Sequence, residues 1–369
     1  MIQIYMDQLP KLRTWYANQI VPLIRSKPLH LCAKVRADPL SNDFAQHLTR
    51  LSDDDIQHIL LTPLTELFDR YAWIREYIML CDVTAFYPSF REKHPSHGVS
   101  NARADYIDQY WDCVFFQQAF SDAHQSEKAA IRSWNNLEAV IRRAKQRREL
   151  LDSVIAQKFD YSFLSDEVRG TLVEKMGIPI CPYCNRQYIQ PVTIDGKKRY
   201  LGDLDHILPK AFYQLFSMSL WNLTPSCKVC NQIFKKSRGT RILNPQEQGF
   251  GDDCILVLEY QSVREIVGLK PLVKMHWEIQ PSARPDNREL MEHNLHIFRL
   301  NEIYEYHRYD IQRTLQRRYL ENSSGYWKSL KRLLPLPEVS SLWYGVSLDP
   351  TKFQEELLSK AIYDTVMHN

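Results

Sequence analysis

The sequence predicts a predominantly helical α+β protein, with a short strand-bearing module held between cysteine pairs near its centre. Three observations carry this expectation. No glycine occurs before Gly98, and the stretch ahead of it spaces its apolar residues at helical intervals. Two Cys-x-x-Cys pairs, Cys181/Cys184 and Cys227/Cys230, bracket a central segment. Inside that segment short extended runs flank Ile194-Asp195-Gly196, and Asp-Gly between such runs signals a hairpin.

Taken in order, Asp53-Asp54-Asp55-Ile56 opens a helical pattern that reaches Ile78, with its acids at the end where the helix dipole favours negative charge. The polar text HPSHGVSNARA, from His94 to Ala104, reads as a loop between helical layers. From Ser126 to Lys158, the residues Ile131, Trp134, Leu137, Ile141, Ala144, Leu151 and Ile155 mark one face of a long helix. Its other side is basic, with Arg142, Arg143, Lys145, Arg147 and Arg148. Such a run is first of all a solvated face, and secondarily a grip for phosphates. The runs 187–193 and 197–204 form a small strand pair ahead of Asp205, and Pro245 marks the close of the module. Beyond it, 255–258 and 273–279 read as strands. Asn301 reads as the N-cap of a helix carrying Ile303 to Tyr319, and Pro350 stands near the start of a last helix ending at about Met367.

At 369 residues, 44% hydrophobic and 25% charged, the chain has ordinary globular composition, which argues against disorder. No apolar run reaches the roughly 18 residues that span a bilayer, and the opening MIQIYMDQLPKLRTWY lacks the order of a secretion signal. The expectation is therefore a cytoplasmic protein without a membrane partner. Cys32, Cys81, Cys113 and Cys254 stand singly and read as small buried apolar residues. The net charge of +3 is too small to mark a nucleic-acid binder, but residues 181–241 hold ten Lys or Arg against three Asp. The basic surplus surrounds the cysteine module. No glycine-rich phosphate loop occurs, so the chain is not expected to hydrolyse nucleotide itself.

Four thiols in two knuckles suit a tetrahedral zinc, whereas Asp205, His206 and Asn231 suit a hard cation and an activated water. The 42 residues between the knuckles exceed the usual finger spacing, and the excess carries the strands and the Asp205-His206 pair. Neutral imidazole, with an ordinary pKa of about 6.5, can take a proton from water at cellular pH. Read singly, Asp205 is a loop acid, His206 a buried hydrogen-bonding residue, and Asn222 and Asn231 turn or cap residues. Their combination is what points to chemistry.

The text CPYCNRQYI, then LGDLDHILPKAFYQLF, then WNLTPSCKVCNQIFKKSR resembles the HNH or ββα-metal endonuclease family. It is most similar to the zinc-stapled bacterial HNH proteins of Septu-type and retron-associated antiphage systems. The close resemblance covers 177–241, and a looser one reaches HNLHIFRLNEIYEYHRYDIQRTL. It implies a central ββα-metal HNH module with a four-cysteine zinc site. The chain then divides into a helical N-terminal region (1–125), a long basic helix (126–176), the nuclease module (177–245) and a mixed strand and helix region packing on it (246–369).

The resemblance further implies that His206 is the general base, that Asp205 and Asn231 hold a catalytic Mg2+ or Mn2+, and that Asn222 braces the loop and the histidine. Asp203 would support the metal from behind. Lys210, Lys235, Lys236, Arg238 and Arg241 are the candidate nucleic-acid contacts. Two departures stand out: the last metal position is Asn rather than His, and the basic residue expected three positions later falls at Lys235, after Phe234. The implied activity is cleavage of nucleic acid, DNA favoured over RNA, as the effector of an antiphage system. An ABC-like ATPase would be the partner, docking on the N-terminal region. The alternative is a zinc-stabilised nucleic-acid-binding or scaffold protein whose nuclease centre is inactive.

Overall fold

Helices dominate both sides of the cysteine module. The protein is seen in a computed structural model that describes residues 1–6, 9–94, 100–123, 133–323, 325, 329, 332 and 341–369. Residues 95–99 of the expected loop and 126–132 of the expected long helix lie outside the described residues. Before the module come α1 (Leu9–Ser26), α2 (Ala33–Ala37), α3 (Pro39–Thr49), α4 (Asp53–Leu61), α5 (Leu64–Arg70) and α6 (Ala72–Lys93). They are followed by α7 (Ser100–Gln109), α8 (Val114–Asp122), α9 (Trp134–Ile155) and α10 (Asp166–Met176). The helical pattern expected from Asp53 to Ile78 falls on α4, α5 and the start of α6, with a break where Pro63 forces Thr62 into an extended conformation and ends α4. Ser52 opens α4 with a capping box, exchanging hydrogen bonds with Asp55.

The long helix α9 starts at Trp134, where the Ser133 hydroxyl accepts from the Asn136 amide. Its apolar stripe packs on α6 and α8. The basic side is not uniform. Arg142, Arg143 and Lys145 are exposed, but Arg147 pairs with Asp38 at 2.8 Å and Asp122 at 3.0 Å. Arg148 is buried and donates to the Ala211 carbonyl. Arg147 and Arg148 are therefore struts, not phosphate grips, since a buried guanidinium stays where its acceptors are.

The hairpin forms as expected. Strands β1 (Pro191–Ile194) and β2 (Lys197–Tyr200) pair antiparallel, and Asp195 and Gly196 between them take φ values of 52° and 72°. Two successive left-handed residues make the turn whose twist matches its strands. The expected run 197–204 breaks after β2, and β3 (Asp203–His206) pairs instead with β4 (Leu223–Ser226). Gly202 allows this switch: a Cβ there would stand 2.4 Å from the Ser226 carbonyl oxygen. A π-helical segment, Val229–Lys235, follows β4, so the order strand, strand, helix is complete.

The C-terminal part holds β5 (Cys254–Glu259) paired antiparallel with β6 (Lys274–Ile279), with α11 (Val263–Ile266) between them. Then come α12 (Pro285–Ile297), α13 (Leu300–Tyr304), α14 (Arg308–Ser323) and α15 (Ser359–Met367). Asn301 is not the expected cap. It lies inside α13, and its side-chain carbonyl accepts from the Trp277 amide at 2.7 Å, tying the helix to β6. Pro350 begins only a 3-10 turn, and α15 starts at Ser359, after Leu358 in the left-handed region. Cys81, Cys113 and Cys254 are buried as expected, but Cys32 is exposed. One apolar core extends from Met1 to Ala361. Among the described residues no helix is long and apolar enough to cross a membrane.

Candidate metal centre and histidine site

The first knuckle is a tight loop closed by an antiparallel bridge between Ile180 and Tyr188. The Cys181 amide donates to the Gln187 carbonyl and the Asn185 amide to the Cys181 carbonyl, which turns both thiols to one side. The second knuckle leaves β4 and enters the π-helical segment, with the Cys230 amide donating to the Cys227 sulfur at 3.4 Å. All four sulfurs are buried and lie within 4.8 Å of one another. Cys184 and Cys227 are 4.0 Å apart. A tetrahedral zinc with Zn–S bonds of about 2.3 Å needs sulfur separations of about 3.8 Å, whereas a disulfide needs about 2.0 Å. The four cysteines are positioned to bind a metal ion, and the site is compatible with structural zinc. The hydrogen bonds that Cys181, Cys227 and Cys230 direct at Cys184 pull its thiol down, while burial pushes Cys181 up. One thiolate is favoured by its neighbours, and a shared cation would favour the rest.

Asn185, inside the first knuckle, was not singled out by the sequence. It takes φ 51° and is 1% exposed. Its amide donates to the carbonyls of Phe353 and Glu356, and its oxygen accepts from Ser359 and the Lys360 backbone. The knuckle thereby holds the start of α15. The only sequence signal is an Asn directly after a knuckle, a residue tolerant of the left-handed region.

His206 ends β3, paired across the sheet with Leu223. Its ring is 8% exposed, and its Nε2 lies 2.9 Å from the Ser217 carbonyl oxygen. A carbonyl only accepts, so the proton resides on Nε2 and Nδ1 keeps its lone pair. Burial pushes the imidazole pKa down to about 4, against the opposing pull of the Ser217 bond and Asp205. Tyr161 packs edge-on against the ring at 4.7 Å. The Lys210 ammonium and the Arg169 guanidinium sit 5.1 Å and 5.2 Å from the centre of the Tyr161 ring. Tyr161, Arg169 and Ser217 were missed because they come from α10, its approach and an irregular loop, where no spacing rule marks them.

Asn222 is buried and closes the loop between β3 and β4. Its oxygen accepts from the Leu208 amide at 2.6 Å, and its amide donates to the carbonyls of Leu208 and Phe216. This fixes the loop from which Ser217 reaches His206.

The two acids of β3 take different partners. Asp203 accepts from Asn231 at 3.0 Å and from Gln232 at 2.8 Å. Asp205 is 4% exposed and accepts from the Tyr183 hydroxyl at 2.6 Å and the Lys235 ammonium at 2.9 Å. Asn231, expected to share a cation with Asp205, is therefore bonded to Asp203 instead. Lys235, expected to contact nucleic acid, is 1% exposed and also donates to the His206 carbonyl. That expectation is corrected: the ammonium is spent on Asp205. The residue inserted ahead of it is absorbed by the wider π turn, in which the Lys236 amide donates to the Asn231 carbonyl five residues back. Arg241 is likewise engaged, paired with buried Asp82 and stacked on Phe86. Lys210, Lys236 and Arg238 are exposed, and so is Arg241 beyond its ion pair, with 43% of its side chain open to solvent.

The chain matches no protein-family model, no curated protein and no solved structure.

Proposed function

We propose that this chain is an endonuclease of the HNH type, hydrolysing phosphodiester bonds of nucleic acid, with DNA favoured over RNA. The reading rests on one observation above others: a buried imidazole whose Nε2 proton is held by Ser217, with no hydrogen bond to Nδ1 among the described residues, ends the first strand of a strand, strand, helix unit. Asn222 braces the connecting loop, Asn231 in the helical segment bonds Asp203 of the same strand, and the cysteine cluster closes the unit. In the reaction His206 takes a proton from water at Nδ1, and the Ser217 carbonyl stabilises the imidazolium that results. Lys210, Lys236 and Arg238 hold backbone phosphates. Zinc on Cys181, Cys184, Cys227 and Cys230 holds β4 and the π-helical segment against the first knuckle.

The Mg2+ or Mn2+ of the resemblance fits this face only in part. Asp203 and Asn231 offer a carboxylate and an amide oxygen, the donor type a hard cation takes, but Asp205 already has its charge matched by Lys235. A divalent ion would supply positive charge to the phosphoryl oxygens. In this reading the protein works in the cytoplasm as the effector of an antiphage system. An ABC-like ATPase docks on the N-terminal helices.

The occupied Asp205 also favours a second reading, a zinc-stabilised binding or scaffold protein with an inactive centre. Supercoiled plasmid and RNA incubated with Mg2+ or Mn2+, with and without the neighbouring ATPase, separate the two. The nuclease reading expects cutting that falls by about 10²- to 10⁴-fold in His206→Ala with zinc content retained. Equal cutting by that variant removes His206 as the base, and retardation of DNA without any cutting supports the second reading.

A further inference from the structure

A buried carboxylate needs a positive partner, and Asp205 has found one in its own chain. Both of its oxygens lie about one hydrogen bond from the Lys235 ammonium, at 3.0 Å and 2.9 Å, and neither residue's side chain is more than 5% exposed. Tyr183 takes the remaining approach to Oδ2, and the ammonium's further bond to the His206 carbonyl links it to the histidine backbone. Every one of these contacts is what a small cation would make there. A lysine placed for phosphate binding would project into solvent, as Lys236 does.

We propose that Lys235 is the resident cation of this centre: its ammonium holds the place on Asp205 that a divalent ion would take, and an ion engages Asp205 only by displacing it. This rests on the hydrolase reading for the identity of the ion, but not for the displacement itself. The ammonium already contacts both oxygens of a desolvated carboxylate and would repel a divalent ion brought to them, so the two compete for Asp205. Lys235 is the last residue of the π-helical segment, and Lys236 after it sits at φ 52° and ψ −148°, a strained conformation for a residue with a side chain. Asp203 and Asn231, bonded to each other beside the pair, offer a first landing for the ion without disturbing Lys235.

Mn2+ binding, read by loss of the free-ion paramagnetic resonance signal, tests this on the full-length zinc-loaded protein. Lys235→Met is expected to bind Mn2+ about tenfold tighter or more, because the competitor is gone while Asp205 stays. Lys235→Arg should bind as the unmodified protein does, and Asp205→Asn combined with Lys235→Met should lose the gain. Unchanged or weaker binding by Lys235→Met overturns the proposal. Should the variant not fold, reductive methylation of the unmodified protein gives the same answer: labelling of Lys235, referred to exposed Lys236, should rise several-fold with saturating Mn2+. Labelling that does not change with the ion overturns it. Neither readout needs hydrolysis, so a protein that cuts nothing can still show the exchange, and one that cuts without it keeps the hydrolase reading alone.

Discussion

Asn185 is a single side chain on which the first knuckle and the C-terminal helix both depend. Asn185→Ala removes acceptors and donors for Phe353, Glu356, Ser359 and Lys360 in a buried setting, and puts alanine at φ 51°. With a cost of about 1–3 kcal/mol for a stranded buried group, a loss of about 3 kcal/mol is expected. Urea denaturation measures it, and a loss below about 1 kcal/mol would mean that α15 is held by its apolar face alone. Asn222, by contrast, was singled out beforehand by the resemblance alone, and its bonds stay within the loop that contains it. Asn185 was not, because its partners lie far along the chain and no local pattern encodes them.

At the level of elements, α6 and α9 are joined through Asp152. The Tyr77 hydroxyl of α6 donates to it at 2.6 Å, and Arg148 lies one turn away on α9. Burial pushes the Asp152 carboxyl up to about 6, against the opposing effects of the Tyr77 bond and Arg148. Its pKa is thus higher in the folded chain than the unfolded value of about 3.9, so the folded chain binds the extra proton between these limits. The resulting stability is full below about pH 4 and is lost as pH rises through about 6. From pH 5 to 7.5 the loss from this group is on the order of 1 kcal/mol. Asp152→Asn should flatten the stability profile by that amount over the same interval, as urea midpoints at the two pH values will show. A profile parallel to that of the unmodified protein would contradict the assignment. Elsewhere periodicity read the elements well where they were long, as in α9 and the β5–β6 pair. It marked the region of α4, α5 and α6 as helical but not the break at Pro63.

Across the whole molecule the cysteine cluster connects parts that are otherwise far apart in the chain. Cys181 and Cys184 lead by Asn185 to α15, and Cys227 and Cys230 lead from β4 to the segment carrying Asn231 and Lys235. Cys227→Ser removes one soft ligand from a closed site, and a hydroxyl does not replace a thiolate on zinc. Zinc content measured by mass spectrometry of the metal should fall well below one per chain, and the melting temperature should drop by several degrees. Full zinc content in this variant would show that the four thiols do not share one ion.

From the sequence alone came whatever depends on neighbours along the chain: two knuckles at metal spacing, a left-handed Asp195-Gly196 turn, His206 on a strand, and basic charge around them. Only the tertiary structure decided which partner each acid keeps. Asp203 and Asp205 are two residues apart on one strand, yet one faces Asn231 and the other Lys235. That choice follows from how a π turn is set against β3 in three dimensions, which brings Asn231 and Lys235, four residues apart, to different acids of the strand.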